Sequence, residues 1–181
     1  MAAGSVTAAK LGGALATGFI PIPLTAWRIT ATNDIAAKGT PDGGVVSLDT
    51  DPTLKRINGA TDKKLRMVWA AASVIEVAAD FAYPNDLDDT ATVVVHLLMK
   101  MAAGGMDTPT VAVGYFEGVG DSNAGTNTTA LSTTLTDKTV TIAAADVGAY
   151  PNGASLSLIP ASHGNEAMEL YESWVEYTRK S

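Results

Sequence analysis

Residues 84–101 read P-N-D-L-D-D-T-A-T-V-V-V-H-L-L-M-K-M, two halves of opposite chemistry. Pro84, Asn85, Asp86, Asp88 and Asp89 make a turn: proline fixes φ, and Asn and Asp side chains bond nearby backbone. From Thr92 the pattern changes to period two. Val93, Val95, Leu97, Met99 and Met101 fall on one face; Val94, His96, Leu98 and Lys100 fall on the other. A helix fits poorly, because the β-branched run Thr92, Val93, Val94, Val95 loses χ1 freedom in one. A strand apolar on one face and mixed on the other belongs inside a sheet that packs on a second layer.

The same alternation recurs on both sides of this segment. Leu65, Met67 and Trp69 alternate with Arg66, Val68 and Ala70. Ile75, Val77, Ala79 and Phe81 oppose Glu76 and Asp80, the signature of a half-buried antiparallel strand. Residues 25–30 are extended, and residues 45–48, 110–116, 138–143 and 155–159 read as further strands, with Val140 and Ile142 facing inward. Residues 33–38 and 144–150 fit single helical turns. Residues 40–44, 49–62, 104–109 and 118–128 are turns or loops by their Gly, Pro, Asn and Asp content. Asn58-Gly59 lacks the closely flanking alternation of a hairpin. Residues 166–179 suit a helix face through Leu170, Tyr171, Trp174, Val175 and Thr178. Their aromatic and β-branched content suits a strand, which is the preferred assignment. Short strands separated by turn signals, with no strong helix, predict an all-β chain: an antiparallel β-sandwich of jelly-roll type.

Composition bounds the partners. A chain of 181 residues is one domain and needs no staple to fold. The net charge of −7 argues against nucleic acid or an anionic membrane as partner. Cysteine is absent, which excludes disulfides and a thiol nucleophile and suits synthesis in a reducing compartment. Residues 1–18 are small and apolar, but Lys10 lies mid-segment and Gly12 and Gly13 break the apolar run after it, unlike a signal peptide.

Residues 19–24 read F-I-P-I-P-L. Pro21 and Pro23 forbid a helix and push Ile20 and Ile22 to extended backbone; neither proline can donate to a ladder. The segment is therefore an edge of its own sheet or an arm lying on a neighbour. We expect the arm: residues 1–30 as tether and extended arm, residues 31–181 as the sandwich. Phe19, Ile20, Pro21, Ile22, Pro23, Leu24, Trp27 and Arg28 are its candidate interaction residues, since a free apolar patch of that size is seldom tolerated.

No catalytic signature stands out, and the chain is expected not to be an enzyme. Two histidines, His96 and His163, cannot form a three-histidine zinc site. His96 reads as a packing histidine and His163, in A-S-H-G-N, as solvent-exposed. Asp86, Asp88 and Asp89 lack the glycine and closing glutamate of a calcium loop and read as turn caps. Gly118-Val119-Gly120 lacks the rest of a phosphate loop. No G-x-S-x-G elbow anchors a serine triad. Glu166, Glu169, Glu172 and Glu176 with Asp62, Asp80 and Asp107 could pair as glycosidase acids only if the fold brought two together. No cofactor and no metal is expected.

Five segments together carry a resemblance: D-P-T-L-K-R-I-N-G-A-T-D-K-K-L-R (51–66), Y-P-N-D-L-D (83–88), the strand ending H-L-L-M-K-M, F-E-G-V-G-D (116–121) and L-Y-E-S-W-V-E-Y-T-R-K (170–180). The chain resembles virion structural proteins of tailed bacteriophages and prophages, of the head decoration type. That resemblance implies a capsid decoration or cement protein on the outer surface of a phage head, made in the host cytoplasm. The major capsid protein would be its partner and a homotrimer its working unit. The rival from another class is a carbohydrate-binding or host-attachment module of a phage fibre or tail. Sugar binding calls for exposed aromatic rings, and Trp27, Trp69 and Trp174 all lie in apolar patterns that suggest burial.

Overall fold

The computed structural model describes residues 16–31, 34–35, 46–47, 50–56, 64–103, 110–117, 123–127, 131–161 and 163–180. These residues form twelve strands and two single 3-10 turns, at Leu24–Ala26 and Ala144–Asp146. The strands are β1 (Thr17–Pro21), β2 (Arg28–Ala31), β3 (Asp34–Ile35), β4 (Thr53–Arg56), β5 (Leu65–Trp69) and β6 (Val77–Ala82). They continue with β7 (Val93–Met101), β8 (Thr110–Phe116), β9 (Asn123–Asn127), β10 (Thr136–Ile142), β11 (Gly153–Ala161) and β12 (Met168–Thr178). Two antiparallel sheets result. The first runs β10-β7-β12-β5-β4, with β1 also on β12; the second runs β3-β2-β6-β11-β8-β9. The protein is an antiparallel β-sandwich of jelly-roll type.

Residues 93–101 sit at the centre of the first sheet, as their two faces require. Val93, Val95, Leu97, Met99 and Met101 are 0–2% exposed and form one wall of the core. Val77, Val111, Val113, Tyr115, Leu156 and Leu158 face them from the second sheet. The preceding turn is held by its acids. Asp88 accepts from Thr90 N at 3.0 Å and Thr90 Oγ1 at 2.6 Å; those bonds hold its carboxyl below the usual value. Tyr177 Oη donates to Asp86 at 2.9 Å.

β12 settles the segment that suited both helix and strand. It pairs β7 along one edge, with a bulge between Leu170 and Glu172. On its other edge β5 pairs residues 168–170 and β1 pairs residues 174–178. The extra residue at the bulge resets the inward parity. Met168 and Leu170 face in before it; Ser173, Val175 and Tyr177 face in after it.

The N-terminal segment, expected as an arm, lies along this chain's own first sheet: β1 pairs β12 from Thr17↔Thr178 to Pro21↔Trp174, and Ile22 N continues the ladder to Ser173 O at 2.9 Å. Ile22, Leu24 and Trp27 are 2%, 7% and 1% exposed, inside the chain's own core. Trp27 Nε1 donates to Ser173 Oγ at 3.1 Å, and Ser173 Oγ donates to the Ile22 carbonyl at 2.8 Å. The physical reason is the half-free edge of β12. β5 covers only its start, so a proline-bearing strand that pairs weakly can still complete the rest. Arg28 begins β2 on the second sheet, so each sheet takes a strand from residues 17–31. Of the expected tether, residues 1–15 lie outside the described residues.

Smaller corrections concern single segments. Residues 34–35, expected in a helical turn, form β3. Residues 46–47 are not in a strand, and β6 begins only at Val77. β4 and β9 form within segments read as loops. Asn58 and Gly59 lie outside the described residues. His163 is 1% exposed rather than solvated; its ring nitrogens meet Glu166 O at 3.1 Å and Ser73 O.

Candidate functional site

The outer face of the second sheet is the best candidate. Its side chains can be placed rung by rung from the register. Asp80 pairs Ser155, and Ser155 pairs Phe116, so these three side chains share one row across β6, β11 and β8. In the next row Arg28 pairs Ala78, Ala78 pairs Ser157, and Ser157 pairs Gly114. Small residues keep the floor low. Neighbouring strands lie about 4.8 Å apart, so Asp80 and Phe116 stand about 10 Å from each other across Ser155.

A cavity of about 450 Å³ opens there, lined by Asp80, Phe81, Phe116, Glu117, Gly153, Ala154 and Ser155. Phe116 lies down over Gly114. A Cβ on that glycine would come within 2.6 Å of Phe116 Cε2 and 2.7 Å of Ser157 Oγ. Only glycine lets the ring rest on backbone. The adjacent end of the groove depends on Gly153 in the same way, where a Cβ would meet the Phe81 carbonyl oxygen at 2.3 Å.

The polar groups of the cavity differ in how far they are already bonded. Glu117 is anchored: Tyr83 Oη and Gly148 N both donate to its Oε1, and Tyr115 Oη hydrogen-bonds Tyr83 Oη. Burial, with the bonds to Glu117 and Tyr115, pushes the Tyr83 hydroxyl well above its ordinary value; burial does the same for Tyr115. Both phenols therefore stay protonated as donors. Phe81 packs edge-on against Tyr83 and Tyr115 at 5.8 and 6.2 Å, fixing that pair from below. By contrast, the Asp80 carboxylate and the Ser155 hydroxyl bond no other described residue. The site thus offers a carboxylate and a hydroxyl without partners among the described residues, an anchored second carboxylate and a supported aromatic ring.

Such a set can do limited chemistry. Two carboxylates, with no cation among the described lining residues, repel phosphate and other anions. The lining combines an apolar ring face at Phe116 with hydrogen-bond acceptors at Asp80 and Glu117. Sequence reading named Asp80 among possible acids but missed Phe116, Glu117 and Ser155. The spacing of the acids is set only by strand pairing, and the one legible signal was the small-residue alternation around Gly114 and Ser157.

The sequence-named arm residues lie elsewhere. Pro21, Ile22, Pro23 and Leu24 are brought together with Tyr171, Glu172, Ser173 and Trp174 beside the first sheet. Ile20 packs against the core, Phe19 is 60% exposed, and Arg28 Nη1 donates to the Thr25 carbonyl at 2.7 Å. Trp27 and Trp69 are buried as expected, but Trp174 is only half-buried. His96 is a packing histidine, stacked on that ring.

Neither a family model nor a curated protein matches the chain. Solved structures match its fold. One is described as the xylan-binding module CBM15, with a TM-score of 0.52 and 11% identity over 91% of this chain and 99% of that one. Another is xylanase 10C from Cellvibrio japonicus in complex with xylopentaose, with a TM-score of 0.53, 12% identity, 90% of this chain and 29% of that one. A third is the Clostridium thermocellum endo-1,4-β-D-xylanase 10B, its CBM22-1 and GH10 modules complexed with xylohexaose. Its TM-score is 0.50 and its identity 14%, over 87% of this chain and 27% of that one. The chain spans under a third of each of these two enzymes. At such identities the likeness is one of fold.

Proposed function

We propose that this chain is a non-catalytic carbohydrate-binding module that holds a neutral glycan across β6, β11 and β8. One observation carries the reading: the row Asp80–Ser155–Phe116, where uncommitted polar groups and a supported ring stand at a spacing that admits one sugar ring. The fold's likeness to a xylan-binding module supports it. The resemblance of five sequence segments to tailed-phage virion proteins gives the module a carrier, a fibre or tail that attaches to host glycans. Those same segments favour a second reading, a head decoration protein that binds the major capsid protein as a trimer.

A glycan array followed by calorimetric titration with xylohexaose tests the first reading. Asp80→Ala should weaken binding by about tenfold or more, since a hydrogen bond to a charged group is worth about 1.5–3 kcal/mol; Phe116→Ala, which removes the apolar surface beneath the sugar ring, should weaken it by about tenfold. An array without binders, or binding indifferent to both substitutions, overturns it. Release of reducing ends from xylan overturns the non-catalytic part. Labelled protein that decorates purified heads, with no glycan bound, selects the second reading.

A further inference from the structure

The opposite face of the sandwich carries a second cavity that the groove does not explain. On the first sheet Thr139 pairs His96, His96 pairs Trp174, and Trp174 pairs Pro21, so one outward row runs across β10, β7, β12 and β1. Trp174 is half-buried on a surface otherwise dominated by charge. On the same strand Glu172 is paired with Lys64, and Glu176 lies beside His96.

The indole is held in place by three residues. His96 stacks on it with centroids 4.7 Å apart and planes at 9°. Asp137 Oδ2 lies 2.8 Å from His96 Nδ1, and Glu176 Oε2 lies 3.4 Å from Nε2, which is buried without a well-formed hydrogen bond. The imidazole therefore covers one side of the indole and cannot swing away. Across β12 on the other side stand β1 and an open cavity of about 280 Å³, lined by Pro21, Pro23, Tyr171, Glu172 and Trp174. An aromatic ring fixed upright, with one face backed and the other at a cavity, is a stacking platform. The prolines make a rigid wall, and Glu172 is the one carboxylate among the described lining residues.

We propose that Trp174 is the platform of a second glycan site on the face opposite the Phe116 groove. This deepens the carbohydrate-binding reading and rests on it. The site takes one sugar ring of the same neutral glycan, stacked on the indole with a hydroxyl donated to Glu172. It is the weaker of the two, because Glu172 already serves Lys64 and the lining is otherwise largely apolar. Two sites on opposite faces let one molecule bridge two glycan chains, so retention on an insoluble polysaccharide exceeds either affinity alone.

Tryptophan fluorescence isolates this site, because Trp27 and Trp69 are 1% and 0% exposed and shielded from an aqueous quencher. The iodide-quenchable emission is that of Trp174. Titration of the full chain with xylohexaose should protect that emission, and calorimetry should give two sites per chain. In Phe116→Ala the stoichiometry should fall to one while protection of Trp174 persists. In Trp174→Ala it should fall to one with the tighter affinity kept; circular dichroism checks that this variant folds. One site per chain, abolished by Phe116→Ala, with iodide quenching unchanged throughout, overturns the second site and leaves the groove standing. Absence of binding at both faces overturns the inference together with the reading beneath it.

Discussion

Trp27→Ala tests whether the N-terminal segment belongs to the core. Trp27 is 1% exposed, lies in the core cluster and donates to Ser173 Oγ at 3.1 Å. Truncating a buried tryptophan to alanine costs about 3–5 kcal/mol. The lost hydrogen bond adds little, because Ser173 keeps its bond to the Ile22 carbonyl at 2.8 Å. A domain is stable by about 5–15 kcal/mol, so the variant retains a folded state with much of its margin gone. With a urea m-value of about 2 kcal/mol/M, the midpoint falls by about 1.5–2.5 M. Ile22 and Leu24 each contribute about 1.5–3 kcal/mol more by burial. A truncation starting at Thr30 therefore removes on the order of 6–11 kcal/mol, besides the β1 ladder, and the shortened chain should not fold. Urea unfolding monitored by far-ultraviolet circular dichroism measures both. A Trp27→Ala midpoint within about 0.3 M of wild type, or a truncated chain melting at the wild-type midpoint, refutes the placement of this segment in its own sandwich.

Gly114→Ala sets a methyl group against the Phe116 ring and should weaken xylohexaose binding by about tenfold while costing about 1–2 kcal/mol of stability; calorimetry showing unchanged affinity removes Phe116 from the site. Tyr83→Phe takes a donor from Glu117 and a partner from Tyr115, and urea melts should register a loss of about 1–3 kcal/mol. Both tyrosine hydroxyls are raised by burial, so their contribution is fully present below about pH 10 and is lost as pH rises toward their folded values. Wild type should therefore lose stability above about pH 10 more steeply than Tyr83→Phe. Lys138 is 1% exposed, and burial pushes its ammonium down from 10.5 to about 8. Between those values the unfolded chain binds more protons, so the penalty is full below about pH 8 and is relieved as pH rises. Melts of wild type against Lys138→Met should show the wild type gaining from about pH 8 to about pH 10; a difference flat in pH contradicts this.

Period-two patterning sufficed for the architecture. The alternation in residues 93–101 named every inward residue of β7, because side-chain direction in a strand depends only on position along it. The same local logic identified inward residues of β5, β6 and β10, the existence of β8 and β11, and the turn at Asp88. It failed wherever direction depended on a partner. The parity of β12 is reset by a bulge at residues 170–172, which left helix and strand open in the sequence. β9 lies in a stretch of Gly, Asn and Thr that pairs because β8 presents an edge to it. Two prolines in residues 19–24 left an edge strand and an arm both open, and the pairing was decided by β12, which leaves room beside β5. Trp174 read as buried by composition alone, yet the residue after Ser173 faces outward once the bulge has shifted the register. Both candidate sites are rows across strands remote in sequence. Asp80, Ser155 and Phe116 acquire a common function only through hydrogen-bonded register, a long-range property that no local pattern encodes.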